Sequence, residues 1–382
     1  MFAKTLAACG LFTLALVANA QQVLIPAPPQ LASSAYLLLD ADTGKVIVEE
    51  NADEQLPPAS LTKMMTSYIV TSELENQRIS EEDLVNISVA AWKMGGSKMF
   101  VREGTQVSVI DLLRGVIVQS GNDASVALAE HIAGGEDAFA DVMNQTASLL
   151  GMTNSHFVNA TGWPAEGHLT TARDLSLLAR AIIKDHPQYY DLYKEKYFSY
   201  NGINQPNRNR LLFRDDSVDG LKTGHTEAAG YCLVASAKRG DTRLISVVMG
   251  TASEDARAAE TQKLLAYGFR YFENQTLYSA GDVIENARIW YGEADQLALT
   301  LAEDVMQTIP RGSRGSIEVA LQLPDTLKAP IKKGEQVGTL TLTLNGETLA
   351  EVPAVAQAAV PEAGFFARIV DAIKLFISDL LS

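Results

Sequence analysis

The spacing of hydrophobic positions divides most of the chain into a mixed α/β part and an all-β part. In the first part, apolar runs at residues 35–40 and 44–49 flank an Asp-Thr-Gly turn and predict a β-hairpin. Helical periodicity follows through the middle of the chain, and strands return at 230–238 and 243–250 before a helix over about 256–273. Strands at both ends of this part predict one sheet, completed by the two ends of a domain and covered by helices.

The all-β part extends from residue 275 to about 355. Apolar residues there alternate at every second position, most clearly in segments 316–323 and 337–344, between Pro-Asp, Lys-Gly and Asn-Gly turns. This pattern predicts a small all-β domain of the sandwich type.

The last segment, residues 364–382, has the period of an amphipathic helix. Its large apolar side chains, except that of Leu375, fall on one arc of roughly 160° on a helical wheel. The segment also carries four charged side chains, so it should lie in a membrane interface rather than span the bilayer. The alternative is a helix that closes the core of its own domain. A Pro- and Ala-rich stretch at 353–364 precedes the helix and predicts a linker.

The N-terminus has the pattern of a secretory signal. Lys4 precedes an apolar run at 6–17, and Ala-Asn-Ala at 18–20 provides a small-residue cleavage site. A retained anchor helix, which needs about 20 apolar residues, fits less well. Cleavage would remove Cys9 and leave Cys232 as the one cysteine, so no internal disulfide is expected. Cys232 is predicted to be a buried core residue, with a catalytic thiol as the alternative.

Composition and charge narrow the range of functions. The chain is 47% hydrophobic over 382 residues, which is ample for the cores of two domains. Its net charge of −15 argues against nucleic acid as a partner. The five histidines show no metal-binding spacing, so neither a metal nor another cofactor is expected.

Three short motifs, Ser60-Leu-Thr-Lys63, Ser120-Gly-Asn122 and Lys222-Thr-Gly224, supply the parts of a serine acyl-transfer site. They provide a nucleophile, a lysine base, a second hydroxyl, an amide and a cation. Each motif alone is compatible with an ordinary helix cap or turn. Their order and wide spacing favour one shared site.

The first motif predicts how the nucleophile is activated. Ser60 should begin a mostly buried helix, where backbone N–H groups can bind an oxyanion. Lys63 lies one turn later on the same face. Burial should lower the pKa of Lys63 toward neutrality, which suits a general base. A helix cap for the serine and a lysine that extends to solvent are the alternatives.

The second motif lies in a break between helices predicted at 109–118 and 124–131. Ser120 could relay a proton to a leaving amine, and the Asn122 amide could hold a substrate carbonyl. A simple turn is the alternative reading.

The third motif lies beside the strand that begins at residue 230. Lys222 offers a cation to a terminal carboxylate, and Thr223 adds a hydroxyl donor. Gly224 would let a substrate backbone come close to an edge strand. A surface turn is the alternative.

The motifs together are those of penicillin-binding proteins and class A β-lactamases. With Asn207-Arg-Asn209, Gly220-Leu-Lys-Thr-Gly-His-Thr226 and the C-terminal β domain and helix, the chain resembles the low-molecular-mass penicillin-binding proteins that act as serine-type D-alanyl-D-alanine carboxypeptidases, in the group of penicillin-binding proteins 5 and 6. The resemblance implies an α/β (α+β) catalytic domain of the β-lactamase/transpeptidase-like fold. The expected segments are a signal peptide (1–20), the catalytic domain (21–274), a β-sandwich stalk (275–355), and a linker with the amphipathic helix (356–382).

The resemblance also implies catalytic roles. Ser60 attacks the carbonyl of the penultimate D-alanine of a peptidoglycan stem pentapeptide, with Lys63 as base. Ser120 and Lys222 pass the proton to the departing D-alanine, and Asn122 holds the substrate amide.

Substrate-binding roles follow in the same way. The backbone N–H groups of Ser60 and His225 are expected to hold the oxyanion, with Gly224 beside them. Thr223 and Arg208 are expected to bind the terminal carboxylate. Arg210 competes with Arg208 for that role, and Arg208 is preferred by its position in the motif.

The expected product is a tetrapeptide, and β-lactams are expected to acylate the same serine. The enzyme should act at the periplasmic face of the inner membrane, held there by residues 364–382. The alternatives are a DD-endopeptidase, a weakly active wall-binding relative, and a class A β-lactamase. The last fits poorly because Glu166 is followed by Gly-His-Leu-Thr and does not form the Glu-x-x-x-Asn pattern.

Overall fold

A computed structural model describes residues 25–381 and separates them into two compact units. The first comprises Pro26–Leu277 together with Met306–Ile309. The second includes Tyr278–Val305 and Pro310–Ser382. The signal peptide expected at residues 1–20 lies outside the described residues.

The first unit alternates strands and helices, as the hydrophobic pattern predicted. Its elements in chain order are β1 (Ala35–Asp40), β2 (Val46–Glu50), α1 (Lys63–Glu75), β3 (Leu84–Asn86), α2 (Val89–Lys93), β4 (Gln106–Ser108), α3 (Val109–Gln119), α4 (Asn122–Ala133), α5 (Glu136–Leu149), α6 (Ala172–Asp185), α7 (Pro187–Tyr190), β5 (Tyr197–Tyr200), β6 (Ile203–Pro206), β7 (Val218–Thr226), β8 (Gly230–Arg239), β9 (Thr242–Thr251), α8 (Glu254–Tyr271) and β10 (Phe272–Tyr278).

One antiparallel sheet organises this unit, in the strand order β2-β1-β9-β8-β7. The N-terminal hairpin thus pairs directly with a strand from the far end of the domain, which confirms the predicted single sheet. Strand β7, which carries the Lys222 motif, lies at one edge of this sheet. One side of β7 is therefore not paired with another strand of this sheet, and that side faces the elements that carry the other two motifs.

Helices cover both faces of the sheet, because successive side chains of a strand point to opposite sides. On β1, Leu37 and Leu39 join the core formed with α1, α3 and α4, whereas Leu38 joins the core formed with Leu264 and Leu265 of α8. Each fully buried leucine of this kind contributes about 1.5–3 kcal/mol to the stability of the fold. The mostly apolar α1 and α4 are therefore held firmly beneath the site.

The second unit is all-β apart from its terminal helix and a short 3₁₀ turn at Arg314–Ser316. Its elements are β11 (Val283–Trp290), β12 (Gln296–Leu301), β14 (Ile317–Gln322), β15 (Leu327–Lys328), β16 (Gln336–Leu344), β17 (Glu347–Ala356) and α9 (Phe365–Leu381). Hydrogen bonds join its six strands into one sheet, in the order β14-β16-β17-β12-β11-β15. Most of β13 (Val305–Pro310) belongs to the first unit, where it pairs with β10. The prediction of a small all-β domain is confirmed.

The stretch predicted as a linker is instead bonded to the β domain. Strand β17 continues to Ala356, and the side chains of Ala354 and Ala356 are buried. Beyond it, Val360 is buried and pairs with Ile331. Alanine and proline suggested a linker by composition, but small side chains also suit a strand that packs closely against its neighbours.

The terminal helix α9 exposes its apolar arc. Phe366 is 82% exposed and Phe376 is 70% exposed, so these side chains do not close the core of their own domain. On the opposite face, the Asp371 carboxylate is buried and accepts a hydrogen bond of 2.9 Å from the backbone N–H of Tyr291. In the described part of the chain, no helix has the length and apolar character needed to cross a bilayer.

Candidate active site

Ser60 lies in a 3₁₀ turn, Ala59–Thr62, that leads directly into α1. The predicted start of a buried helix is therefore confirmed, with a tighter first turn. Ser60 is partly exposed and lines a cleft of about 870 Å³, together with Asn122, Trp163 and Arg208. The predicted nucleophile is thus accessible to a ligand, and it lies on a rigid element.

Lys63 is fully buried beside Ser60. Its Nζ lies 3.2 Å from Ser60 Oγ, 2.7 Å from Asn122 Oδ1 and 2.5 Å from the Thr161 carbonyl oxygen. Burial lowers the pKa of Lys63 from its ordinary value to about 7, although Asp123 and Glu136 act in the opposite direction. Near neutral pH, Lys63 therefore exists in both protonation states, as its place in an apolar helix predicted.

These three contacts determine which way a neutral Lys63 can act. A neutral amine has two hydrogens and one lone pair, while the Thr161 carbonyl and the Asn122 Oδ1 can only accept hydrogen bonds. The two hydrogens are therefore used, and the lone pair is left for the Ser60 hydroxyl. This is the geometry of a general base that is ready to take the Oγ proton.

The second lysine pairs with the second serine. Ser120 ends α3 in the left-handed conformation, with φ of 59°, and its Oγ lies 2.9 Å from Lys222 Nζ. Lys222 also donates a hydrogen bond of 2.9 Å to the Thr223 carbonyl. Burial holds the pKa of Lys222 well below its ordinary value, and the charges of Lys63 and Arg208 lower this pKa further.

Asn122 connects the two halves of the site. It is the first residue of α4, so this helix begins two residues earlier than predicted. Its Oδ1 accepts from Lys63, and its Nδ2 donates a hydrogen bond of 2.7 Å to the Gly95 carbonyl. A side chain at Gly96 would meet this amide at 2.7 Å, so a glycine is needed there. One amide hydrogen of Asn122 is not used in these contacts and could reach a substrate carbonyl.

Strand β7 forms the other wall of the cleft. Thr223, Gly224 and His225 line a cavity of about 200 Å³ together with Ser60 and Ser120. The sequence suggested that Gly224 makes room for substrate. The structure gives a further reason, since a Cβ there would lie 3.1 Å from the Pro58 carbonyl and 3.2 Å from the Leu61 side chain. Gly224 thus lets β7 pack against the turn that carries Ser60.

The two candidate arginines differ in their surroundings. Arg210 forms ion pairs with Glu254 at 2.7 Å and with Asp255 at 3.1 Å. Arg208 is exposed, lines the cleft, and has no ion pair within residues 25–381. Arg208 is therefore the arginine of the two that remains available to a substrate carboxylate.

A further cation, which no sequence motif indicated, lies at the cleft. Arg257 of α8 is buried and donates a hydrogen bond of 3.3 Å to the Gly224 carbonyl. Its guanidinium lies 5.6 Å from the ring centroid of Tyr231, which stacks on His225 with a centroid distance of 3.9 Å. Nothing in the local sequence around Arg257 distinguishes it from a surface helix residue.

Cys232 takes no part in this arrangement. It is buried in β8, and burial raises the pKa of its thiol to about 11. The predicted core role is therefore confirmed. Within the described residues, no group of three His, Cys, Asp or Glu side chains is arranged to hold a metal ion.

Comparison with known families and proteins identifies the same two-part organisation. The family model described as D-alanyl-D-alanine carboxypeptidase matches residues 22–253. The model of the penicillin-binding protein 5 C-terminal domain matches residues 272–362. Together these two matches account for most of the chain.

Individual relatives extend over almost the whole chain. D-alanyl-D-alanine carboxypeptidase DacA of Escherichia coli is 43% identical over 98% of this chain and 95% of its own length. The crystal structure of penicillin-binding protein 5 from Haemophilus influenzae has a TM-score of 0.82 at 41% identity, covering 88% of this chain and 100% of that structure. Penicillin-binding protein D2 of Listeria monocytogenes, solved in an ampicillin-bound form, has a TM-score of 0.59 at 30% identity over 64% of this chain and 100% of that structure.

Proposed function

Because the chain belongs to the D-alanyl-D-alanine carboxypeptidase family and is a serine-type hydrolase of that class, we propose that Ser60 is its nucleophile. The substrate is the D-Ala-D-Ala end of a peptidoglycan stem pentapeptide, and the product is a tetrapeptide. The observation that carries this assignment is the hydrogen-bonded set formed by Ser60, Lys63 and Asn122 at the base of an open cleft.

Acylation begins with Lys63 in its neutral form. Ser60 Oγ attacks the carbonyl carbon of the penultimate D-alanine while its proton passes to Lys63 Nζ, 3.2 Å away. The carbonyl oxygen becomes an oxyanion, which the backbone N–H groups of Ser60 and His225 stabilise. The C–N bond to the terminal D-alanine then breaks, and a serine ester remains.

The leaving amine needs a proton, and the Ser120–Lys222 pair supplies it. The hydroxyl of Ser120 donates toward the nitrogen, and Lys222, in contact at 2.9 Å, replenishes that hydroxyl. The proton that Lys63 took from Ser60 passes on to restore the Ser120–Lys222 pair, so Lys63 is neutral again when water attacks the ester. Lys63 takes the proton of that water and returns it to Ser60 Oγ as the tetrapeptide leaves. Penicillins acylate Ser60 by the same first step.

Positive charge in the cleft selects a substrate that ends in a carboxylate. Arg208 lines the cleft without an ion pair among the described residues, while Lys222 and Arg257 are buried beside it. Thr223 adds a hydroxyl donor at the same wall. A carboxylate between these groups gains charge-assisted hydrogen bonds in a partly desolvated site.

The direct test is D-alanine release from a soluble peptide that ends in D-Ala-D-Ala, with Ser60→Ala as the control variant. The proposal predicts release that penicillin blocks and that the substitution abolishes. Release that persists in Ser60→Ala would contradict the assigned nucleophile. Labelling of Ser60 by penicillin without D-alanine release would favour cleavage of cross-links, or a wall-binding role, over carboxypeptidase activity.

The enzyme acts on the bacterial cell wall, and we infer that it does so from the outer face of the inner membrane. Residues 1–20 provide the export signal, and α9 provides the membrane contact. The exposed arc of α9 supports this, because large apolar side chains such as Phe366 and Phe376 have no protein partner that covers them within the described residues. The Asp371 contact with Tyr291 orients the helix so that this arc faces outward.

Vesicle sedimentation tests the anchor. Deletion of residues 364–382 should release the protein from lipid vesicles without changing its soluble activity. Phe376→Glu should weaken vesicle binding strongly, whereas the matched variant Lys374→Glu, at an exposed position of the polar arc, should weaken it little. Continued sedimentation of the truncated protein would contradict the proposed anchor.

A further inference from the structure

The Thr161 carbonyl that contacts Lys63 belongs to a loop between α5 and α6, residues 157–168, which we call the base loop. This loop passes over the start of α1. It is fastened there by the Thr66 hydroxyl, which donates a hydrogen bond of 2.7 Å to the Ala160 carbonyl. It is also fastened by His168, whose Nε2 lies 2.9 Å from Thr62 Oγ1.

One side chain determines the shape of the base loop. The Oδ1 of Asn159 accepts hydrogen bonds from the backbone N–H groups of Thr161 at 3.1 Å, Gly162 at 2.8 Å and Trp163 at 3.1 Å. It also accepts one of 2.9 Å from Thr161 Oγ1. The Nδ2 of Asn159 donates a bond of 2.9 Å to the Trp163 carbonyl. These contacts fold residues 159–163 into a tight turn.

The position of this turn cannot shift without a change at the nucleophile. Gly162 has φ of 80°, and a side chain there would overlap the carbonyl of Ala59, the residue before Ser60. The turn therefore contacts both the nucleophile segment and, through the Thr161 carbonyl, the Lys63 amine. A shift of about 1 Å between reacting groups can slow a reaction about 100-fold.

We propose that Asn159 is a positioning residue for the general base. It holds the Thr161 carbonyl against Lys63, so that one amine hydrogen is always engaged there and the lone pair is left for Ser60. The inference rests on the proposed role of Lys63 as base. It adds a residue that does not touch the substrate and that none of the three motifs contains.

The test measures the second-order rate of acylation by penicillin, for the full mature chain, between pH 6 and 9. Asn159→Ala should acylate about 10- to 100-fold more slowly than the wild type, which is the cost of a misplaced reacting group. The deficit should persist at pH 9, because the fault lies in the orientation of Lys63 and not in its protonation.

Asn159→Asp provides the conservative rescue. It loses the Nδ2 bond to the Trp163 carbonyl but keeps the acceptor oxygen that holds residues 161–163, and should therefore recover most of the wild-type rate at pH 9. The added negative charge raises the pKa of Lys63, so at pH 6 and 7 this variant should lag well behind. The other charged or titratable groups that act on Lys63 are Asp123 of α4, Glu136 of α5, Lys222 of β7 and His168 of the base loop, and all of them are unchanged.

Asn144→Ala is the matched control. Asn144 makes a similar two-sided contact with the base loop, accepting from the Phe157 N–H and donating to the Phe157 carbonyl, both at 2.8 Å, away from Lys63. It should lower the melting temperature but leave acylation within about threefold of the wild type.

Two results would overturn the proposal: wild-type acylation by folded Asn159→Ala at pH 9, or an equal loss in Asn144→Ala. If Asn159→Ala does not fold, Asn159→Asp decides, because an unchanged pH profile in that variant contradicts the proposal. Lys63→Ala, measured alongside, separates this inference from the function on which it rests. Full activity of Lys63→Ala would overturn the assigned base itself.

Discussion

Two buried lysines lie beside Ser60 and Ser120, and the neighbouring charges that act on their pKa values differ in sign. Lys63, on α1, lies near the carboxylates of Asp123 and Glu136, which partly offset the effect of burial on its pKa. Lys222, on β7, has the cations Lys63, Arg208 and Arg257 around it, and each of them lowers its pKa further. Burial is nearly complete for both side chains, so what distinguishes the two lysines is the sign of the neighbouring charges that act on their pKa values.

In the proposed mechanism, these different surroundings suit the two lysines to two different tasks. Lys63, with a pKa of about 7, can accept a proton from Ser60 and give it up again near neutral pH. Lys222 lies among positive charges, so a substrate carboxylate that binds there favours its protonated form. In the proposed mechanism, substrate binding thereby prepares the group that protonates the leaving amine.

The largest effect should come from Lys63→Ala. Without the base, acylation should fall roughly 1,000-fold or more, as it does when one member of a coupled catalytic set is removed. The rate of penicillin acylation measures this directly, with Lys93→Ala, an exposed lysine of α2, as control. Near-normal acylation by Lys63→Ala would remove the distinction between the two lysines.

The next largest effect should come from Lys222→Met, a substitution that preserves the length of the side chain. Loss of proton transfer to the leaving group should slow turnover about 100-fold. The loss should be smaller for a peptide whose terminal carboxylate is methylated, because that substrate no longer uses the cation. Equal losses for acid and ester would contradict a role in carboxylate recognition.

The same variant reports on the pKa of Lys222 through stability. The unfolded chain holds this lysine protonated up to about pH 10.4, whereas the fold favours its neutral form. Folding therefore releases a proton, and this contribution stabilises the wild type as pH rises toward that value. The melting-temperature advantage of Lys222→Met should accordingly shrink as the pH rises toward about 10.4.

A smaller effect is expected from the arginine pair. Arg208→Ala should raise KM about 10- to 100-fold, the value of a charge-assisted hydrogen bond of about 1.5–3 kcal/mol. Arg210→Ala breaks ion pairs with Glu254 and Asp255 at exposed positions and should change KM less than about threefold. Steady-state kinetics on one peptide measures both variants, and the reverse order would assign the carboxylate to Arg210.

The smallest effect should be a shift in pH dependence caused by Glu136→Gln. The substitution keeps the hydrogen bond from the Ala160 N–H but removes a charge that raises the pKa of Lys63. The pKa of Lys63 should fall, so the acid limb of the acylation profile should move to lower pH by less than about one unit. A shift to higher pH would mean that Glu136 does not act on the base through its charge.

The sequence predicted the elements whose signals are local. Ser60 and Lys63 could be paired because side chains three residues apart lie on the same face of a helix. The sheet could be assembled from the apolar runs along the chain. The stretch around Ala354 and Ala356 was misread, since its composition is shared by linkers and by tightly packed strands.

Other parts of the site lack any sequence signal. Thr161 acts through its backbone carbonyl, which any residue could provide, and Asn159 is one of many loop asparagines. Arg208 and Arg210 are distinguished by the ion pairs that the fold gives to Arg210 and by the cleft that Arg208 lines. These features depend on tertiary neighbours, so they became visible only in the structure.

The central claim is that a buried Lys63, neutral in part near pH 7, activates Ser60. The measurement that tests it most directly is the rate of penicillin acylation of the wild type across pH 5–10. The account predicts a rate that rises about tenfold per pH unit in the acidic range and levels off above the pKa of Lys63, about 7. A rate that is constant between pH 5 and 9, or that still rises at pH 10, would contradict it.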